Sequence, residues 1–364
     1  MGAPSINIAF IEKSASAIER GERGIVALLL KEETVTQENF TVRSAPDIPA
    51  WLSEANKEQV EMALKGYQKA PKKVLVHVMS GNTEEGYTKA MKYFETLKWN
   101  YMAVPTVEAD QKTETIASWI KSERTNNKRT FKAVLPKAQS DNEGIINVAN
   151  GCKIGDKEYT AAQMCARVAG IICGTPITIS CTYAPLPEMT DCDKLGKEDL
   201  DEAVDSGKFV FMWDGEKVKV CRGVNSFVTT TDKKGDSFKS IKIIDAMDMI
   251  YDDIEMTIQD NYTGKYANSY DNKCVLITAI NGYFSGLVRE GVLASGLCQI
   301  DIDRQREYLA GKGGNVVIDG QEKKLEDLTD EEIKKTNTGT HVFLRAAVSI
   351  LDAMEDFDID IYIG

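Results

Sequence analysis

Only two histidines, His77 and His341, occur among the 364 residues, and each sits in an apolar, strand-like run. A metal site needs several ligands and a hydrolytic triad needs a base with an orienting partner, so little room is left for histidine chemistry. The eight cysteines, at positions 152, 165, 173, 181, 192, 221, 274 and 298, contain no CxxC pair and read as reduced core residues. Cys165, Cys173 and Cys181 lie eight apart, yet no histidine stands near them in sequence to activate a thiolate. Met79-Ser80-Gly81-Asn82-Thr83 joins a strand to a helix, where an α/β fold would hold a phosphate. It has one glycine where the dinucleotide fingerprint has three, and a strand-to-helix turn with a helix cap accounts for it. Gly311-Lys312-Gly313-Gly314-Asn315 lacks the P-loop spacing and leads into a hairpin. The stripe Asp245, Asp248, Asp252, Asp253 and Glu255 has the donor type for a cation. On an amphipathic helix it reads as a solvated face, able in a polymer to meet a basic neighbour. No catalytic residue, cofactor site or metal site is assigned.

The elements that would position these residues alternate strand and helix through the first third of the chain. Strands are expected at Gly24–Leu30, Val74–Met79, Tyr101–Val104 and Thr130–Leu135. Helices are expected at Glu54–Gly66, Thr83–Leu97 and Gln111–Glu123. Alternation with short connections implies a mostly parallel sheet covered by helices, so the first domain is α/β. Asn150-Gly151 suits the positive φ angles of a tight hairpin after Ile145–Ala149. Tyr159–Cys173 is a helix of small residues that can pack closely on a neighbour. A loop with Pro176, Pro185 and Pro187 is the candidate domain boundary.

Beyond it, Phe209–Trp213 and Val218–Val220 flank Asp214-Gly215 as a hairpin. Phe238–Tyr262 carries apolar residues three and four apart, as one face of a long helix. Val275–Leu293 is a second helix, and Val316–Ile318 with Asp319-Gly320 a second hairpin. His341–Ile350 fits either a strand or a helix. These elements describe a C-terminal α+β domain.

Both chain ends read as strands. Ile6, Ile8 and Phe10 alternate with the smaller Ser5, Asn7 and Ala9 in Ser5–Ile11, followed by the charged, glycine-containing connector Glu19–Gly24. Phe357, Ile359, Ile361 and Ile363 alternate with Asp358, Asp360 and Tyr362 at the other end. Such ends either close the chain's own sheet or pair with a neighbour's, because an unpaired strand edge recruits another chain. The expected organisation is a linking arm over 1–23, an α/β domain over 24–187, a C-terminal domain over 188–355 and a linking strand over 356–364. A net charge of −12 and pI near 4.9 argue against nucleic-acid binding. Residues 1–20 lack the apolar core of a signal peptide, and no window approaches a membrane span. A soluble protein of the cytoplasm is the expectation.

Several segments together resemble the tail sheath proteins of contractile phages, in particular the short sheaths of Gram-positive phages and PBSX-like prophages. Asn150–Ala162 followed by Arg167-Val168-Ala169-Gly170 is similar to that family's hairpin and small-residue helix. Ser180–Pro185 resembles its "SLTY" segment, and the stretch from Gly223 through Asn225 to Thr229 its "INTLTT" segment. Asp245 falls in the long helix of the pattern, while Tyr262, Gly264 and Asn268 match its "YIGKxxN" exit. Asp352-Ala353-Met354-Glu355 resembles the family's ending. The order and spacing hold over residues 66–364, and the N-terminal arm matches in pattern more than in residues.

The resemblance implies a structural subunit and not an enzyme. Its partners would be itself, in hexameric rings stacked as a helical polymer, the tail tube protein, the baseplate and the tail terminator. Terminal arms would add strands to neighbours, the C-terminal domain would lie next to the tube, and baseplate triggering would contract the sheath and drive the tube through a cell envelope. Assembly in the bacterial cytoplasm into a virion is implied. The residues alone also leave open a nucleotide-binding α/β enzyme at Ser80–Thr83 and a static shell protein.

Overall fold

Successive residues of Ile25–Glu32 point to opposite faces of a sheet, and both faces are apolar. Val26, Leu28 and Leu30 join one buried cluster, and Ile25, Ala27 and Leu29 join another. A strand apolar on both faces must be covered on both, the signature of a central strand in a helix-covered parallel sheet. The computed structural model, which describes residues 17–81, 84–318 and 321–363, bears this out. Its contacts divide the chain into two compact units, residues 22–249 with 352–364, and residues 1–21 with 250–351.

The larger unit contains, in chain order, β1 (Ile25–Glu32), β2 (Asn39–Val42), α1 (Glu54–Leu64), β3 (Lys73–Ser80), α2 (Glu84–Glu95), β4 (Tyr101–Ala103), α3 (Thr113–Asn126), β5 (Lys132–Pro136) and β6 (Ile145–Val148). There follow β7 (Cys152–Ile154), β8 (Lys157–Tyr159), α4 (Ala161–Cys173), β9 (Asp191–Cys192), α5 (Lys197–Asp205), β10 (Lys208–Phe209), β11 (Phe211–Trp213), β12 (Val218–Val220) and the first half of α6 (Ile241–Thr257). The main sheet runs β10-β6-β5-β4-β1-β3-β2, parallel throughout except for the antiparallel edge strand β2. Side chains of α1 and α4 fill one face, and side chains of α2 and α3 the other.

α4 is buried nearly all round and starts at Thr160, whose hydroxyl accepts from the Gln163 amide in a capping box. Its small residues admit α1 closely. A Cβ on Gly170 would stand 2.3 Å from the Ala63 carbonyl oxygen.

Three details differ from the sequence reading. Asn150-Gly151 does not turn a hairpin; the Asn150 side chain instead exchanges two 2.9 Å hydrogen bonds with the Phe211 backbone. The hairpin forms one turn later, between β7 and β8, where Gly155 has φ +59°. The expected boundary at 187/188 falls inside the larger unit, because β10 pairs with β6 in the main sheet and Ala184, Leu186 and Met189 lie in its core. Backbone bonds from Tyr183 to Val220 and from Leu186 to Val218 stitch the proline-containing loop down.

The smaller unit begins in the second half of α6, which widens into a π turn at Ile258–Tyr262. It continues with α7 (Tyr270–Arg289), β13 (Leu293–Ile300), α8 (Ile302–Gly311), β14 (Asn315–Ile318), β15 (Gln321–Lys324), α9 (Asp330–Lys335) and β16 (Leu344–Ile350). The ambiguous segment from His341 is thus a strand, β16, antiparallel to β13 in a two-stranded sheet. α7 packs on β13, with Phe284 so close to Gly296 that a Cβ there would meet the Phe284 Cβ at 2.8 Å. A second hairpin, β14–β15, packs with α8 and α9 around Leu309, Leu325, Leu328 and Ile333.

Candidate functional site

Five residues from four elements of the larger unit meet at the start of α6. The register of β4 against β5 sets Tyr101 beside Lys132, and Lys132 Nζ lies 4.9 Å over the Tyr101 ring. α6 brings Asp245 and Asp248, three residues apart and so on one face. Lys132 Nζ is 3.1 Å from Asp245 and 2.5 Å from Asp248. Arg124 of α3 holds Asp248 with two 3.0 Å bonds, and the Tyr101 hydroxyl donates to Asp245 at 2.8 Å. Burial alone would lower the Lys132 pKa, but the two carboxylates outweigh it and hold it above the lysine range. Burial likewise works to raise Asp248, and Lys132 with Arg124 holds it below the carboxylate range.

The acidic stripe is therefore not a solvated face. Asp245 and Asp248 hold the first half of α6 against β4, β5 and α3 within the larger unit. Within the smaller unit, buried Asp253 accepts from the Gly21 amide at 2.8 Å and the Tyr283 hydroxyl at 2.7 Å. The signal that was missed is Lys132, a charge inside the otherwise apolar strand Phe131–Leu135.

The thiols that invited nucleophilic chemistry are free but protonated. Burial pushes Cys181 up to about 12, and Cys165 and Cys173 well up too. His77 is buried, its Nδ1 2.6 Å from Asn39 Oδ1, and burial lowers its pKa. Gly81 takes φ +73° where β3 gives way to α2, a backbone requirement that explains a glycine there; Asn82 and Thr83 lie outside the described residues. Among the described residues, no group of three or more His, Cys, Asp or Glu is placed to hold a metal ion, and no helix is long and apolar enough to cross a membrane.

The C-terminal segment is the least covered apolar sequence described. Phe357 is 68% exposed and Ile363 96%, with Ile359, Ile361 and Tyr362 between. No described strand pairs with residues 352–363. The root is nevertheless held: Arg222 binds Glu355 at 2.8 Å and Asp356 at 2.5 Å, and Thr182 donates to Glu355 at 2.7 Å. Gly223 closes this clamp, its amide donating to Thr182 Oγ1 at 2.9 Å where a Cβ would crowd Cys181 and Ser180.

The other residues singled out by the family pattern are also structural. Fully buried Asn225 donates to the Phe238 carbonyl and accepts from the Phe227 amide. Tyr262 ends the π turn stacked on Tyr266, Gly264 takes φ +71°, and Asn268 Nδ2 donates toward Thr338, Gly339 and His341. Arg167 binds Glu188 at 2.6 Å and the Gly66 carbonyl at 2.7 Å. Ile6, Ile8 and Phe10 lie outside the described residues. The connector Glu19–Gly24, expected to be flexible, is tied down. Arg20 pairs with Glu290 and Gly21 with Asp253 in the smaller unit, while in the larger Glu22 pairs with Lys72 and Lys73.

Two family models match, the phage tail sheath protein central domain over residues 80–226 and the phage tail sheath C-terminal domain over 233–364. The chain belongs to the phage tail sheath family. The tail sheath protein of Clostridium phage phiCD119 is 34% identical over 365 residues, 98% of each chain. A protein of the phage-like element PBSX of Bacillus subtilis is 30% identical over 185 residues, 48% of this chain and 40% of that one. The helical sheath of the anti-feeding prophage, solved in its contracted state, shares the fold with a TM-score of 0.71 at 12% identity over the whole of both chains. Between the two matched models lie residues 227–232, closer to the observed unit boundary in α6 than to residue 187. Membership in a family of tail sheath proteins also accounts for a chain whose marked residues cap turns, close helices and clamp a tail.

Proposed function

We propose that this chain is a contractile sheath subunit that polymerises as stacked hexameric rings around a tail tube and is linked to its neighbours by strand exchange. The observation that carries the reading is the C-terminal segment, clamped at Glu355 and Asp356 and then presenting Phe357, Ile359, Ile361 and Ile363 to solvent. Holding that much apolar side chain in water is costly, roughly 1.5–3 kcal/mol per residue relative to full burial. An alternating segment of this kind is satisfied by adding to a neighbour's sheet. The N-terminal residues Ile6, Ile8 and Phe10 are assigned the same role on their alternation. Contraction triggered by the baseplate then moves subunit bodies while the arms keep them linked, with no nucleotide consumed. The tail tube, baseplate and tail terminator are the remaining partners, with the C-terminal half next to the tube. Assembly takes place in the bacterial cytoplasm and the product is a virion component, not an enzyme.

Truncation after Asp356 retains the Arg222 clamp and removes only the exposed segment. The truncated protein is expected to keep the thermal unfolding of the full chain and to sediment as a single subunit, with no tubes in negative-stain micrographs. Tubes formed by the truncated protein would overturn the reading. A saturable nucleotide ligand at Ser80-Gly81 would favour an enzyme, and a lattice with one helical state only would favour a static shell.

A further inference from the structure

In the small sheet β8-β7-β9 of the larger unit, the register sets two cysteines directly opposite one another. Cys152 of β7 faces Cys192 of β9, and no other position in the described ladders opposes two cysteines. The kind of pair follows from the hairpin. β7 and β8 turn through Gly155 and Asp156 alone, so Ile154 and Lys157 are the hydrogen-bonded pair that closes a two-residue loop. In an antiparallel strand the N–H and C=O of one residue point to the same side, and the side alternates along the strand. Ile154 and Cys152 therefore turn theirs toward β8, and Lys153 turns its own toward β9. In agreement, the Lys153 carbonyl accepts from the Thr190 amide at 2.8 Å, while the Cys192 amide bonds the Asp191 carboxylate at 3.0 Å.

Cys152 and Cys192 are thus a non-hydrogen-bonded pair, the closer of the two antiparallel kinds, with both side chains on one face. Such pairs have Cα atoms about 4.5 Å apart, inside the span of about 4.4–6.8 Å that a disulfide bridges. The two thiols have unequal surroundings. Cys152 lies in the core, its Sγ 3.5 Å from Met164 Sδ of α4, and Cys192 is half-buried at the core margin. Burial pushes the Cys152 thiol up to about 12 and the Cys192 thiol up to about 11. An external reagent accordingly reaches Cys192 first.

We infer that Cys152 and Cys192 form a thiol–disulfide site, closed by low-molecular-weight disulfides and reopened by thiols. The Cys192 thiolate attacks one sulfur of the external disulfide, making a mixed disulfide and releasing one thiolate, and the Cys152 thiolate then displaces the second. Two protein thiols are oxidised and one external disulfide is reduced. The two protons shed by the protein are taken up by the two released thiolates. The new bond ties β9, only two residues long, to β7 and closes a loop containing α4 and the proline-containing segment. A cross-link across so long a loop stabilises by restricting the unfolded chain. The pairing needs nothing from the sheath reading, which supplies only the occasion: a released particle leaves the reducing compartment in which it was made.

The test uses the folded full-length chain, incubated with oxidised glutathione in mildly alkaline buffer, alkylated and digested without reductant. Two of the eight free thiols should disappear, and mass spectrometry should find a linked peptide pair carrying Cys152 and Cys192. The unfolding temperature should rise by several degrees and return on adding dithiothreitol. Cys192→Ser, at the half-buried position, is expected to unfold as the reduced parent does and to show neither the linked pair nor the rise. Eight thiols left intact, glutathione retained on Cys192 without ring closure, or a link through other cysteines would each overturn the site. A Cys152–Cys192 bond that leaves the unfolding temperature unchanged would overturn its role as a staple. The peptide map is read on the parent, so it decides even where the variant fails to fold.

Discussion

Asp248 shows how a single side chain can hold an element in place. It accepts from Arg124 and Lys132 in a nearly dry setting; without it Arg124 would lose its carboxylate partner and Lys132 would keep only Asp245. Breaking one member of such a set costs about 3–5 kcal/mol. Asp248→Ala is therefore expected to lower stability by that order in urea unfolding. Asp248→Asn adds a pH test. The Asp248 pKa is depressed in the folded state, so its contribution is complete above the ordinary carboxylate range and is lost as pH falls through the lowered value. The gap in stability between parent and Asp248→Asn should accordingly narrow on acidification. A gap independent of pH would mean that the carboxylate is not the group that matters. Lys132, with its pKa raised, contributes at all pH values below the lysine range and loses its contribution only as pH rises through the raised value.

At the scale of elements, the contact of α1 with α4 decides whether the larger unit closes on that face. Gly170 gives α4 the missing side chain that this approach requires, and Gly174, next to Lys69 and Gly66, does the same at the helix end. Gly170→Val places branched carbons against the Ala63 carbonyl. The helices must then separate, at a cost of about 1–3 kcal/mol or more. Calorimetry should show a lowered unfolding temperature, and an unchanged temperature would mean that α1 yields freely. Arg222→Ala acts on a different element, the tail root. Its ion pairs are partly exposed and worth about 0–1 kcal/mol, so the expected readout is faster proteolysis at residues 352–363 with little change in global stability.

For the whole molecule, the exposed segment Phe357–Ile363 is where the proposed link between subunits is tested. In the isolated chain the amides of Phe357–Ile363 have no strand partner and should exchange with solvent rapidly. In the assembled polymer they are expected to become protected. Hydrogen exchange followed by mass spectrometry on both forms measures this directly. Fast exchange of the tail segment within intact tubes would remove strand addition as the link between subunits.

Period and composition were enough to place most elements. Strands apolar on both faces, such as Ile25–Leu30, demand cover from helices wherever they occur, so the helix-covered sheet was legible from local pattern. The glycine and asparagine positions of the tail sheath pattern were legible only through the family resemblance: Gly264 answers a local backbone need with its positive φ, whereas Asn268 bonds Thr338, Gly339 and His341 far along the chain. Three matters were decided only by tertiary structure. Asn150-Gly151 has hairpin chemistry, but Phe211 competes for the Asn150 side chain from 61 residues away. The acidic residues of α6 looked solvated because periodicity reports one apolar face and cannot report that Lys132 and Arg124 arrive at the other. The seating of α7 on β13 depends on Asn281 reaching the Cys298 backbone 17 residues on, a pairing that no spacing rule encodes. Side-chain chemistry determines what each segment needs, and only the folded chain determines which distant group supplies it.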